Sequence, residues 1–188
     1  MKRFCFLLLT VVFIASFLAC DKPNDASPEV NSGMDMKGSE DDNNNTVNAE
    51  QAPDFSLSDL NGNVVSLSDY TEKVIAIFFF GNACPPCKAV APSVQTQLSD
   101  KYASRDDFIL LGIDQWDGNN SAVKAFKSST GVTFPLLLNG SSVAASFGTT
   151  YDRIVVIDKE GLIRFKGNRN VSSDLSTAVD VVAQYLNK

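Results

Sequence analysis

The sequence predicts one α/β domain over residues 51–188, in which a central sheet carries helices on both faces. Two observations indicate this class. The run Val74–Phe80 is continuously apolar, which is typical of a strand buried on both faces of a sheet. The segment that follows, from about 85 to 103, repeats apolar residues at intervals of three and four, as an amphipathic helix does. With 44% hydrophobic residues among 188, the chain has enough apolar material for one core.

The other elements alternate between strand and helix in the same way. Two short apolar segments flank the Asn61-Gly62 turn and predict a β-hairpin ahead of the buried strand. Ser172 is placed to cap a terminal helix whose apolar residues recur every three or four positions. The remaining segments are hairpin strands at 55–57 and 64–67, strands at 108–113, 134–138, 154–157 and 162–165, and a helix at 121–129.

Residues 1–19 are expected to be a signal peptide. Met1-Lys2-Arg3 is positively charged, and residues 4–17 are almost entirely apolar. The segment ends at Leu18-Ala19-Cys20, which resembles the bacterial lipobox, where the cysteine is diacylated and becomes the first residue of the mature protein. We favour lipidation at Cys20; the alternatives are an ordinary cleaved signal and an uncleaved anchor. Under each of them the domain is exported, so we expect a lipid-anchored protein of the bacterial cell envelope that faces the periplasm or the exterior.

Residues 20–50 are expected to form a disordered acidic tether behind the lipidated cysteine. Between 21 and 50 the chain has eight acidic and two basic residues and almost nothing apolar to bury. A random coil of this length has a root-mean-square reach of roughly 30 Å. The whole chain carries a formal charge of -6 and no basic stripe, which argues against nucleic acid as a partner.

Once the signal is removed and Cys20 is lipidated, Cys84 and Cys87 are the cysteines that remain of four. The chain has no histidine and no second CxxC, so cysteine and histidine cannot complete a zinc site. A structural disulfide is the other alternative, but a bridge that closes so few residues restrains the unfolded chain little. We therefore expect a catalytic pair, with no metal and no cofactor beyond a redox-active Cys84–Cys87 disulfide.

The two cysteines are expected to have different roles in thiol-disulfide exchange. Cys84 falls at the N-terminus of the predicted helix, where the helix dipole and free N–H groups favour a thiolate, so it is the predicted nucleophile. Cys87 falls on the inward face of that helix and is the predicted resolving thiol. Pro85 and Pro86 fit the first helical turn, but each removes a backbone donor that could have faced the sulfur. We therefore expect Cys84 to be activated only moderately.

At these residues the sequence resembles the TlpA/ResA-type branch of the thioredoxin fold, within the redoxin and AhpC-TSA-like superfamily. The resemblance covers residues 51–188 and implies a central mixed sheet flanked by helices, with an N-terminal β-hairpin extension. It also implies a thiol-disulfide oxidoreductase that keeps cysteines of exported client proteins reduced, as in cytochrome c maturation, and that exchanges electrons with a membrane partner. The matching residues are Ala52 to Leu57, the Asn61-Gly62 turn, Gly81, Cys84 to Lys88, Pro92, Phe134 to Leu138, and Val155 to Asp158 with Gly161.

The chain departs from this family at three places. Ala83 stands where members usually have tryptophan before the first cysteine, and residues 150–153 lack the proline that would face the CxxC pair. Phe78 and Val90 occupy the positions expected for the buried acid that moves protons to the second cysteine. We therefore assign proton transfer to Asp114 or Asp152 as hypotheses.

Two other functions are alternatives. A thiol peroxidase would use Cys84 to attack peroxide, with Arg153 placed to polarise it, although the usual proline and threonine upstream of the cysteine are absent. A redox-inactive binding module would use the groove beside the site for a partner. Trp116 could line a client groove or be an ordinary half-exposed loop aromatic.

Overall fold

The computed structural model describes residues 50–188, so the predicted signal peptide, Cys20 and most of the predicted tether lie outside the described residues. Seven strands and four α-helices follow one another in this part of the chain. They are β1 (Ser56–Ser58), β2 (Val64–Ser66), β3 (Val74–Phe80), α1 (Pro85–Val94), β4 (Phe108–Asp114), α2 (Asn120–Thr130), β5 (Leu136–Leu137), α3 (Ser141–Ser146), β6 (Arg153–Ile157), β7 (Ile163–Lys166) and α4 (Val171–Leu186).

The central sheet is mixed and has five strands in the order β5-β4-β3-β6-β7. Strand β3 lies in the middle and pairs in parallel with β4 and antiparallel with β6. Strand β5 extends the parallel side, and β7 extends the antiparallel side. The predicted fold class is confirmed, and β3 is the most protected place in the sheet from which to present a functional loop.

Alternate residues of β3 pack into two different apolar clusters, one on each face of the sheet. Val74, Ala76, Phe78 and Phe80 face the cluster that contains α1, α2 and α4. The residues between them face α3 and the segment around Phe55. All seven residues of β3 are buried, which is why the strand reads as an uninterrupted apolar run.

The predicted N-terminal hairpin is confirmed as a separate two-stranded antiparallel sheet of β1 and β2. The Asp59 carboxylate accepts the N–H groups of Asn61 and Asn63 at 2.8 Å each. Gly62 has a φ of 87°, a left-handed conformation that glycine adopts without a steric cost. Local side-chain bonds and one glycine therefore make this turn, as the sequence predicts.

The helix predicted for 85–103 is shorter than expected. Helix α1 ends at Val94, and Gln95–Asp100 continues as a π-helical turn. Pro92 has no N–H to donate within the helix. The buried Gln95 side chain instead accepts the Thr133 N–H at 2.7 Å and donates to Asp100 at 2.6 Å. The Gln95 side chain thus ties this π-helical turn to the distant loop at Thr133.

The predicted cap of the terminal helix is wrong. Helix α4 begins at Val171, with Asn170 at the N-cap position and no side-chain bond from it. Val171 is buried, which carries the first turn into the core, and the Asp174 carboxylate accepts the Asn168 N–H. Helix α3 was not predicted, because it is short and built mostly from serine and alanine. No helix within residues 50–188 is both long and apolar enough to cross a membrane.

Candidate redox-active site

The CPPC segment lies between the end of the central strand β3 and the first turn of helix α1. Cys84 is the N-cap residue of the helix, Pro85 and Pro86 form its first turn, and the Cys87 N–H donates to Cys84 Sγ at 3.2 Å. The Cys84 N–H in turn donates to the Gly81 oxygen at 2.9 Å, which closes the turn after β3. The nucleophile predicted from the sequence thus lies at a helix N-terminus, with one backbone donor on its sulfur.

The two cysteines are joined as a disulfide, with their Cα atoms 5.3 Å apart. Cys84 is 1% exposed and Cys87 is fully buried, whereas Pro85 and Pro86 are exposed. The burial of Cys87 fits the protected position predicted for the resolving thiol. The burial of Cys84 was not predicted, and it means that side chains over the disulfide must move before a client thiol can reach it.

Asp114 holds the loop that leads into the cysteine pair. It is the last residue of β4, lies opposite Phe80 in the sheet, and is fully buried. Its Oδ1 accepts the Asn82 N–H at 3.0 Å and the Trp116 N–H at 3.3 Å. Its Oδ2 accepts from Asn82 Nδ2 at 3.0 Å and from the Gly118 N–H at 2.8 Å. Both oxygens therefore accept hydrogen bonds from two loops at the carboxyl end of the parallel strands.

Asp152 reaches the same end of the sheet from the other side. It directly precedes β6, whose first residue, Arg153, pairs with Phe79, so Asp152 lies close to the end of the sheet where β3 ends. Its φ of 54° is left-handed, a conformation that aspartate tolerates better than most residues. Its Oδ1 is buried and has no hydrogen-bond partner within residues 50–188. Burial raises the pKa of Asp152, and the charge of Asp174 raises it further, against a bond from the Val171 backbone.

The two positions at which the family usually has a buried acid are occupied by apolar residues in this chain. Phe78 and Val90 are buried in the same cluster as the two cysteines, so neither position supplies a carboxylate. No peptide bond in residues 50–188 is cis. Whether Asp114 or Asp152 transfers the proton stays a prediction, and of the two only Asp152 has a buried oxygen without a partner.

An aromatic contact at this site was missed by the sequence interpretation. The Trp116 ring lies directly on Gly81, where a Cβ atom added to the glycine would meet the ring at 2.5 Å. Trp116 also meets the Tyr151 ring edge-on, with centroids 5.1 Å apart, and remains 41% exposed. The signal in the sequence was a glycine straight after the Phe78-Phe79-Phe80 run, because such a residue allows a close approach from outside.

A cavity lies away from the cysteine pair, at the end of the sheet where β3 begins. It has a volume of about 240 Å³ and is lined by residues such as Tyr70, Ile75 and Ile157. No cluster of residues within the described range could hold a metal ion.

A buried CxxC disulfide at the N-terminus of the helix that follows the central strand defines a thiol-disulfide oxidoreductase with a thioredoxin-like fold. Comparison with known families agrees: the Redoxin family model matches residues 47–182, and the chain belongs to this family. The resemblance deduced from the sequence is confirmed.

Individual relatives support the same class. The chain is 28% identical over 116 residues to the thioredoxin-like protein YneN of Bacillus subtilis (strain 168), a match that covers 61% of this chain and 68% of that protein. It is 30% identical over 117 residues to the thiol-disulfide oxidoreductase ResA of Bacillus anthracis, covering 61% and 65%. The chain thus spans about two thirds of the length of these relatives.

Solved structures extend the likeness over most of the domain. A solution structure from Bacteroides thetaiotaomicron, described as a candidate protein disulfide isomerase, superposes with a TM-score of 0.69 at 31% identity and covers 74% of this chain and 90% of its own. A Chlorobium tepidum protein described as a candidate thiol:disulfide interchange protein DsbE gives 0.60 at 24%, covering 72% and 96%. At that identity the second likeness supports the fold alone.

Proposed function

We propose that this protein is an envelope reductant that passes two electrons from the Cys84–Cys87 pair to disulfides of exported client proteins. The observation that carries the proposal is the arrangement of the pair, with one sulfur at a helix N-terminus and the other buried one turn later. A sulfur at the helix N-terminus is stabilised as a thiolate, which is the attacking species. A buried second sulfur is shielded from outside disulfides and is free to resolve the intermediate.

The reaction proceeds in two exchanges. In the reduced protein the Cys84 thiolate attacks one sulfur of the client disulfide, forms a mixed disulfide and releases one client thiolate. The Cys87 thiolate then attacks Cys84 Sγ, releases the second client thiolate and closes the disulfide seen here. The client gains two electrons, and the protein must recover two from a membrane electron donor. Running both steps in reverse would make it an oxidant, with the membrane partner as the acceptor.

The Cys87 thiol has to lose its proton before the second exchange, and we assign that proton to Asp152 rather than Asp114. Asp152 has a buried oxygen without a hydrogen-bond partner in residues 50–188, and burial raises its pKa; both properties suit a proton acceptor. Asp114 has filled both oxygens with loop donors. An Asp152→Asn variant should slow the resolving step and change its pH dependence. A normal exchange rate in an Asp114→Asn, Asp152→Asn double variant would dismiss both assignments.

Location and clients belong to the same proposal. The N-terminal segment supports export and lipidation at Cys20, and the acidic tether would hold the domain near the membrane, where a membrane electron donor is within reach. Apocytochrome c is one client class with the required pair of cysteines, and the resemblance to ResA-type proteins supports it.

Trapping in the native envelope tests the function directly. In a Cys87→Ser variant the first exchange can occur but the second cannot, so clients should accumulate in disulfide linkage to Cys84 and be identifiable after purification. A Cys84→Ser variant is the matched control and should trap nothing. Apocytochrome c among the trapped proteins would support the role in cytochrome c maturation. If other proteins are trapped instead, they are the clients and that role is rejected. If nothing is trapped and the exchange rate does not depend on Cys84, the proposed reductase function is rejected in favour of a redox-inactive binding module.

The peroxidase alternative is separated by a second assay on the purified domain. Peroxide consumption coupled to a thiol reductant should be low in the wild type compared with its disulfide exchange. Rapid consumption that is lost in Cys84→Ser and in Arg153→Ala would establish the peroxidase instead.

A further inference from the structure

Trp116 and Tyr151 form an exposed aromatic surface that adjoins the cysteine pair. Trp116 comes from the loop between β4 and α2, and Tyr151 from the segment before β6, so two distant parts of the chain meet here. The contact passes over Gly81, whose oxygen accepts the Cys84 N–H. The surface is therefore continuous with the turn that presents the nucleophile.

Several contacts position the two aromatic residues. The Trp116 backbone N–H donates to the buried Asp114, the residue that also holds the loop before Cys84. Tyr151 packs on the apolar cluster that includes both cysteines, and the Arg169 guanidinium lies over its ring, 5.9 Å from the centroid. One carboxylate thus sets the position of the tryptophan relative to the disulfide. A surface fixed in this way binds with little loss of side-chain freedom.

A tryptophan that is 41% exposed and rigidly held stabilises little by staying in water, and exposed aromatic surface of this kind marks interaction sites. Trp116 and Val64 are the large hydrophobic residues that stay exposed within residues 50–188, and Val64 lies in strand β2 of the hairpin. Trp116 therefore provides exposed apolar area at Gly81, within the turn that leads to Cys84.

We propose that the Trp116–Tyr151 surface binds the client polypeptide next to its reacting cysteine and selects clients with an apolar or aromatic side chain at that place. This inference rests on the proposed function, since the occupant is the client of Cys84. A rim aromatic in a fixed position contributes strongly to recognition when a partner desolvates it.

The first test compares three oxidised substrates with the reduced protein. Two are short synthetic peptides with an internal disulfide, one with phenylalanine and leucine beside its cysteines and one with glycine and serine; the third is cystine. Trp116→Ala should lower kcat/KM for the apolar peptide about tenfold, which corresponds to about 1.4 kcal/mol, and leave the other two substrates within about twofold. Trp116→Phe should retain most of the rate. Val64→Ala, which also removes an exposed apolar side chain, should change none of the three.

The second test does not require catalysis. Trp116 is the sole tryptophan of the chain, so its emission reports on this surface alone. In a Cys84→Ser, Cys87→Ser variant, which cannot react, the apolar peptide with its cysteines replaced by serine should shift the emission to shorter wavelength, and the glycine-serine peptide should not. The inference is overturned if Trp116→Ala leaves the apolar peptide unaffected, or if it slows all three substrates equally. If the wild type exchanges no faster than Cys84→Ser, the proposed function fails, and the emission test alone then decides whether the surface binds peptides.

Discussion

Replacing Asp114 by asparagine should destabilise the fold, because the carboxylate accepts from four donors on two loops. The N–H groups of Asn82 and Trp116 donate to Oδ1, the Gly118 N–H donates to Oδ2, and Asn82 Nδ2 contacts both oxygens at 3.3 and 3.0 Å. An asparagine keeps one acceptor oxygen and places an amide NH₂ where the other oxygen was. With the NH₂ in the place of Oδ1, two backbone N–H groups lose their acceptor; with the NH₂ in the place of Oδ2, the Gly118 N–H loses its acceptor.

The magnitude follows from this count. A buried donor left without a partner costs about 1–3 kcal/mol, and hydrogen bonds to a charged group are stronger than neutral ones. Because the variant can adopt the amide orientation that leaves the Gly118 N–H unpaired, we expect a decrease of about 1–3 kcal/mol in the free energy of unfolding. That is a large part of the 5–15 kcal/mol by which domains are usually stable.

Urea unfolding of the oxidised domain, followed by far-ultraviolet circular dichroism and by Trp116 emission, measures this change. Asp180→Asn on the exposed face of α4 removes the same charge without those bonds, and it should stay within about 0.5 kcal/mol of the wild type. A loss below about 0.5 kcal/mol in Asp114→Asn would refute the reasoning, since the loop donors would then have found other partners. An unchanged emission spectrum of the native variant would separately refute the claim that Asp114 positions Trp116.

Three further predictions concern the core, acid stability and the redox pair. Phe126→Ala should cost about 3–5 kcal/mol, because this fully buried ring stacks on the last residue of β3 with centroids 4.2 Å apart. The Arg105 side chain holds the pKa of Asp107 well below its usual 3.8, so this pair stabilises the fold above that value and the contribution disappears as the pH falls. Because both groups lie at the surface, water screens the pair and its contribution is small. Pro86→His should raise the reduction potential, because a restored N–H and a positive charge stabilise the Cys84 thiolate.

Each of these has its own check. Urea unfolding measures the first, and a loss under about 1 kcal/mol would mean that the stack tolerates a cavity. For the second, Asp107→Asn should flatten the decline in stability between about pH 5 and pH 2, and an unchanged decline would assign it to other carboxyl groups. Equilibration of Pro86→His with glutathione buffers measures the third, and a potential at or below that of the wild type would contradict it.

Much of the fold could be predicted because its signals are local. The apolar run of β3 identifies a strand buried on both faces, and the Asn61-Gly62 turn identifies a hairpin whose bonds come from Asp59 nearby. Helix α3 and the cap of α4 could not be predicted in this way. Val171 is drawn into the core by residues far away in the chain, so its packing rather than Ser172 sets where that helix begins.

The cysteine pair shows the same division at the site. A CPPC segment between an apolar strand and an amphipathic helix was enough to place both sulfurs and to assign a helix N-terminus to Cys84, since each step depends on neighbouring residues. The burial of Cys84 was not predictable from them, because Cys84 belongs to an apolar cluster to which distant strands and helices contribute.

The sequence by itself determined the fold class, the hairpin and the chemistry at Cys84 and Cys87, because spacing along one strand and one helix is sufficient for these. Only the tertiary structure decided what surrounds the pair. Asp114 and Asp152 come from opposite sides of β3 to the end of the sheet where that strand ends, and the Trp116 ring lies over Gly81. Contacts between residues that far apart depend on strand order and register, which no local pattern in the chain records.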